Sequence, residues 1–164
     1  MKKVLLLSLL LTFIMAAASQ PLSAKDADCS SPETLIRAIY RDHQPWKEKK
    51  IALDNRKMLS KYFDPELSEL FMKEDECART THEICNLDFD PLLDAQDFEN
   101  TPLKLSIRRK TPPPNASYAV TFTNIGRRTL IYQLRKTAKG WRVRDIIYPE
   151  GFSLRKILSH EVDF

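Results

Sequence analysis

Asp88, Asp90, Asp94 and Asp97 fall within Leu87-Asp88-Phe89-Asp90-Pro91-Leu92-Leu93-Asp94-Ala95-Gln96-Asp97, a dense run of carboxylates. Carboxylates held close together raise one another's pKa, which suits acid–base work, and they offer hard oxygen ligands to calcium. If the segment is helical, Asp90, Asp94 and Asp97 share one face. The spacing lacks the central glycine and terminal glutamate of a calcium loop. A plainer role is local: Asp90 and Asp94 cap helical backbone and pair with basic residues elsewhere in the chain. A second group is cationic. Arg135, Arg142 and Arg144, with Arg108 and Arg109, would line one face of a sheet beside Tyr132 and Trp141. Guanidinium groups next to stacking rings suit sugars or anionic polymers, and the simpler reading is a solvated face whose charges discourage strand-on-strand pairing.

The cysteines are Cys29, Cys77 and Cys85. In an oxidising compartment Cys77 and Cys85 are the favoured pair, closing a short loop worth roughly 2.5 kcal/mol on a chain-entropy argument. Pairing of Cys29 with either of them stays open at this level. Metal is disfavoured, because His43, His82 and His160 are scattered. The string Cys77-x4-His82-x2-Cys85 supplies three ligands where a closed zinc site takes four.

The elements that must position these groups are readable. Ser31-Pro32-Glu33 is a helix start, and Leu35, Ile36, Ile39 and Tyr40 follow at helical spacing until Pro45. A second helix is predicted from Asn55 to Phe63, with Met58, Leu59 and Phe63 inward. Asp64-Pro65 opens a third, with Leu67, Leu70 and Phe71 as its core stripe. Lys73 to Thr101 reads as an ordered crossover with a helical turn after Pro91. Beyond it the pattern alternates as strands do: Leu103, Leu105 and Ile107, then Tyr118, Val120 and Phe122, then Leu130, Tyr132 and Leu134, then Trp141 and Val143. Turn chemistry at Pro112-Pro113-Pro114-Asn115, Asn124-Ile125-Gly126 and Ala138-Lys139-Gly140 joins them into an antiparallel meander. A short last helix is expected after Gly151, capped by Ser153. The fold class is therefore α+β: N-terminal helices packed on an antiparallel sheet of about four strands, one domain over residues 32–160 behind a lead-in at 25–31.

Compartment comes from the start of the chain. Lys2-Lys3, an apolar run from Val4 to Ala18, and Pro21-Leu22-Ser23-Ala24 make a secretory signal peptide over residues 1–24, with cleavage expected after Ala24 and Ala18 as second choice. The run is short of the ~20 residues of a membrane span. Cys29 follows Asp26-Ala27-Asp28 rather than a small-residue lipobox, so lipid anchoring is not expected. A periplasmic location follows most simply, although the sequon Asn115-Ala116-Ser117 would suit a secreted eukaryotic protein. Export disfavours ATP- and nicotinamide-dependent chemistry, and the three glycines, Gly126, Gly140 and Gly151, build no phosphate loop. No G-x-S-x-G turn supports a hydrolase. Charge is split: residues 25–100 carry eleven Lys or Arg against eighteen Asp or Glu, and residues 101–164 carry thirteen against four. The halves should attract each other, and the low net charge argues against nucleic acid.

Helices followed by an antiparallel sheet resemble the cystatin-like, nuclear-transport-factor-2-like cone. The order Leu35 to Tyr40, Leu59-Ser60-Lys61-Tyr62-Phe63-Asp64-Pro65-Glu66-Leu67, Asp88-Phe89-Asp90-Pro91, Gly140-Trp141-Arg142-Val143-Arg144-Asp145-Ile146-Ile147-Tyr148 and Leu154 to Leu158 is similar to the bacterial envelope family called domain of unknown function 3828. That resemblance implies a curved sheet and a periplasmic setting, and it supplies no catalytic residues. The combined expectation is an exported binding or accessory protein of the bacterial envelope, non-catalytic, with an envelope protein or small ligand as partner. No cofactor, metal, nucleic acid or stable membrane insertion is expected. Two other classes stand beside it: a cone-type isomerase, dehydratase or hydrolase using Asp90 or Asp94, and an immunity protein against a cell-wall toxin. A deep pocket with Asp90 or Asp94 pointing inward would favour the enzyme, and a filled cone would exclude it.

Overall fold

The computed structural model describes residues 29–99, 101–124 and 126–160. The expected leader and its cleavage after Ala24 lie outside the described residues. Helix α1 spans Pro32–Asp42. Ser31 caps it by accepting from Thr34 N at 3.1 Å, and the Thr34 hydroxyl accepts from Ser31 N at 3.0 Å, so two otherwise orphaned donors are met at once. A 3-10 turn at Pro45–Lys47 follows. Helix α2, Arg56–Tyr62, is capped by Asn55, and α3, Pro65–Thr81, by Asp64. Strands β1 (Ser106–Thr111), β2 (Ala116–Asn124), β3 (Gly126–Thr137) and β4 (Gly140–Ile147) form one antiparallel sheet in the order β1-β2-β3-β4. Helix α4, Leu154–Leu158, closes the fold, with Ser153 as its cap and Leu154, Ile157 and Leu158 buried. The chain is thus a single α+β domain built on a meander, as the alternation predicts.

The core lies between helices and sheet. Leu35, Ile36 and Ile39 of α1, Leu59 and Tyr62 of α2 and Leu67 and Phe71 of α3 pack in one cluster with Val120, Phe122, Leu130, Tyr132, Leu134 and Val143. Full burial of each such side chain is worth about 1.5–3 kcal/mol, which makes this layer the main source of stability. The sheet's two edges are handled differently. Phe63 bridges to Val143 in parallel and Asp64 N donates to Val143 O at 2.8 Å, which blocks the β4 edge. The β1 edge carries exposed Arg108, Arg109 and Lys110, which deter pairing by charge. Cys29 is sewn onto the β3–β4 hairpin: Trp141 N donates to Cys29 O at 2.9 Å. Gly140 permits this approach, since it sits at φ +97° and a Cβ there would stand 2.7 Å from Cys29 O.

Two expectations need correction. Helix α3 does not yield to a crossover at Lys73 but continues to Thr81. Its last turns, Lys73-Glu74-Asp75-Glu76-Cys77-Ala78-Arg79, hold helix through Lys73, Glu74, Glu76, Ala78 and Arg79 but run past the core, so they lack the apolar stripe by which a helix is recognised. Strand β1 begins at Ser106 opposite Thr121, not at Leu103. Leu103 and Leu105 keep the alternating half-burial but stand outside the ladder, where the Asn124 side chain bonds the Glu99 backbone in both directions instead. Met58 and Leu70 face inward as expected, half-buried against the core cluster.

Candidate functional site

The helical turn expected after Pro91 is present, as a single turn that does not continue into a helix. Leu93 N and Asp94 N both donate to Asp90 O, at 3.1 and 2.8 Å, and Asp90 N donates to Ala95 O at 2.9 Å, closing the loop. Asp94 stands in the left-handed region at φ 53°, which ends the turn. Asp90, Asp94 and Asp97 therefore share no helical face, because the chain reverses between them. Asp90 does cap: its Oδ1 accepts from Leu92 N at 3.0 Å. Asp94 pairs with the basic sheet through Arg128, Nε to Oδ2 at 3.5 Å. Burial, and then the charge of Glu150, push the Asp94 carboxyl above its ordinary range, against the pull of Arg128. Asp97 is exposed.

His43, which the sequence reading set aside as scattered, is the residue that ties the turn down. It is the C-cap of α1 and is buried, with Nε2 2.6 Å from Asp90 Oδ2. Ile51 N–H donates to Nδ1 at 3.2 Å, so Nδ1 is the bare nitrogen. The proton therefore sits on Nε2 and is donated to Asp90. Both ring nitrogens are committed to the protein, and the imidazole offers no lone pair to a substrate. One signal for this role exists in sequence: His43 continues the Ile36–Tyr40 stripe by three residues. Three tyrosines complete the anchorage. Tyr40 Oη donates to Leu92 O at 3.0 Å, Tyr148 Oη to Pro91 O at 3.1 Å, and Tyr132 Oη to Tyr40 Oη at 3.0 Å. Burial holds the phenols of Tyr40, Tyr132 and Tyr148 protonated, well above their ordinary range. Their rings pack as well: Tyr40 stands 5.5 Å from Phe122 and 6.2 Å from Tyr132, and Tyr148 stands 5.4 Å from Phe89.

The arginines form no open row. Arg142 is buried, with Nε donating to Ser60 O at 2.9 Å and Nη1 to Trp141 O at 2.7 Å. Arg135 pairs with Asp64 and with Glu66, and Arg155 reaches Glu66 at 2.9 Å and Asp64 at 3.8 Å. Asp64 is wholly buried and still accepts from Leu67 N at 2.9 Å as the α3 cap. The hydrogen bond from Arg135 holds the Glu66 carboxyl below its ordinary range. Arg144 is exposed because β4 bulges there: Gln133 faces Asp145 and Leu134 faces Val143, which leaves Arg144 without a cross-strand partner. Tyr132 points into the core, and Trp141 carries Lys136 at 5.4 Å over its ring, so the expected stacking platform is not assembled. A related centre joins α1 to α2. Asp42 accepts from Arg41 at 2.9 Å, from Lys61 at 2.9 Å and from Tyr62, and these partners, Arg41 first, drive its carboxyl far below the usual range. The Tyr62 phenol is pushed up to about 12, by burial and then by Asp42.

A groove of about 890 Å³ lies open between residues 43–54, α3 and the 82–98 segment, with His43 and Asp90 in its wall. Ile51, Phe71 and Phe89 supply apolar surface, and Asp54, Asp75 and Glu83 stand among its acids. A hollow of about 390 Å³ shares Ile84, Cys85, Asp88 and Phe89 with it and adds Asp94, Glu150 and Phe152. The rim between the two is fixed twice. Cys77 and Cys85 form the disulfide, which ties α3 to this rim and settles the pairing. Glu74 accepts from Asn86 N at 2.7 Å, Leu87 N at 2.8 Å and Asn86 Nδ2 at 2.6 Å. Cys29 keeps its thiol, buried, with Sγ 3.5 Å from Lys61 O. Among the described residues no three His, Cys, Asp or Glu side chains gather as a metal site, and no helix is long and apolar enough to cross a membrane.

No family model matches the sequence. No curated protein matches it either. Among solved structures the chain is similar to a phospholipid-binding protein from Ralstonia solanacearum in complex with a phospholipid, at 14% identity over 84% of this chain and 78% of that one, with a TM-score of 0.35. A likeness that distant carries neither ligand nor mechanism across.

Proposed function

We propose that this chain is an exported, non-catalytic binding or accessory protein of the bacterial envelope, working unattached in the periplasm after removal of its leader. One observation carries the non-catalytic part. The His43–Asp90 pair is the arrangement in this fold that most resembles an acid–base dyad, and its imidazole is saturated by Ile51 N and Asp90. A general base must present a free lone pair within reach of the proton that it takes, and His43 has none. Asp90 lines the groove and Asp94 the hollow, but Asp90 is engaged by His43 and by Leu92 N, and Asp94 by Arg128. The basic start, apolar run and small-residue end of residues 1–24 support export, and the Cys77–Cys85 disulfide fits an oxidising compartment. Kinship to domain of unknown function 3828 is part of the proposal and rests on the order of the segments that carry the resemblance.

Two measurements test this reading. Wild type and Asp90→Asn, incubated with purified cell-envelope material, should release no soluble product. Turnover by the wild type that Asp90→Asn abolishes would overturn the non-catalytic reading. Crosslinking in intact cells should recover the same envelope component repeatedly from the periplasmic fraction, and a clean lane counts against a binding role.

A further inference from the structure

The two large apolar side chains that stand exposed among the described residues are Ile84, at 71%, and Phe152, at 40%. They are far apart in sequence, yet both line the smaller hollow, and Ile84 also lines the groove. Apolar side chains left in water are unremarkable when single, but two on one hollow mark a contact surface. Around them the charge has one dominant sign. Asp54, Asp75 and Glu83 border the groove, Asp94 and Glu150 the hollow, and Asp88 both, while Lys50 is the lysine present. Burial first, and then the neighbouring charge of Glu150, push the Asp94 carboxyl upward against the pull of Arg128. The Cys77–Cys85 bridge and Glu74 hold the shared rim rigid, so little ordering is required when something docks.

We propose that the joined groove and hollow receive a cationic amphipathic segment of a partner protein, with its apolar side chains seated at Ile84, Phe89 and Phe152 and its lysines or arginines on the surrounding carboxylates. This rests on the reading of the chain as a binding protein and specifies its partner's chemistry. An anionic lipid headgroup would be repelled by the same carboxylates, and a bare metal ion would leave the apolar surface unused. A helix-in-groove contact uses both features together.

The test uses purified, oxidised protein and a fluorescein-labelled amphipathic leucine/lysine peptide followed by polarisation. Its leucine/glutamate counterpart and phosphatidylglycerol vesicles serve as comparisons. The lysine peptide is expected to bind, and Glu83→Lys with Glu150→Lys should weaken it about tenfold or more. Ile84→Ser should weaken it by a similar factor without altering the unfolding transition, since the side chain is exposed. Unchanged binding in both the lysine double variant and Ile84→Ser, no binding at all, or equal binding of the glutamate peptide overturns the proposal. So does preferred binding of the vesicles, or a dimer seen by sedimentation that the lysine variants dissolve, which would make a second copy the occupant. Each of these outcomes leaves the non-catalytic envelope reading intact, because that reading fails on product release.

Discussion

Acidic residues do opposite work at two places in this molecule. At the α3 N-terminus, Asp64 and Glu66 are met by Arg135 and Arg155, and at the end of α1 Asp42 is met by Arg41 and Lys61. Asp64 and Glu66 join the acidic half of the chain to the basic half, whereas Asp42 is answered within the acidic half. Around Ile84, by contrast, Asp75, Glu83 and Glu150 border open space beside exposed apolar surface. The same residue type is structural where its charge is answered inside the fold. It is available to a partner where the charge is left to solvent.

The sharpest way to break this contrast is Asp64→Ala. It removes the α3 cap and leaves two guanidinium groups facing a buried gap, so denaturant unfolding should show a loss of about 3 kcal/mol, of which about 1 is the cap. Cys77→Ser with Cys85→Ser should cost about 2 to 3 kcal/mol in the same experiment and also loosen the rim, read as faster hydrogen exchange at residues 82–88. A smaller and signed effect comes from pH. Asp42 and Glu66 are held below their unfolded values, so the stability they contribute is complete above about pH 4 and is lost as the pH falls below it. Asp94 is held above its unfolded value and acts in reverse, regaining stability as it protonates. Asp42→Asn should therefore flatten the acid limb of a stability–pH curve, and Asp94→Asn should raise its neutral plateau. A single acid limb unaffected by either variant would erase the contrast. Glu83→Lys should be nearly silent, within about 0.5 kcal/mol, and a large loss there would mean that the rim is structural after all.

Elements whose local chemistry agrees with their final packing could be read in advance. Ser31, Asn55, Asp64 and Ser153 each announce a helix that the structure contains, and the apolar alternation from Val120 to Val143 finds the core face of the sheet. What escaped depends on partners remote in sequence. His43 and Asp90 are 47 residues apart, and Arg142 is buried by a carbonyl 82 residues away, at Ser60. No spacing rule reports such meetings. The single turn at Pro91–Asp94 was half legible: capping by Asp90 follows from its type, whereas the left-handed Asp94 that stops the helix does not. The charges of the rim are visible in the composition but cannot be placed from it, because α3 hides its last turns behind a polar sequence.

The bond between Cys29 and Trp141 sets a direction in the molecule. It pins the entry of the described chain at the β3–β4 hairpin, beside the start of α1, while His43 and the acidic turn sit at the other end of that helix. Eleven helical residues separate the two ends by about 16 Å. A dye, a bead or a surface coupled ahead of residue 29 would thus hold the molecule by one pole and leave the opposite pole facing the solution. Immobilised from that side, the protein should present its groove unobstructed.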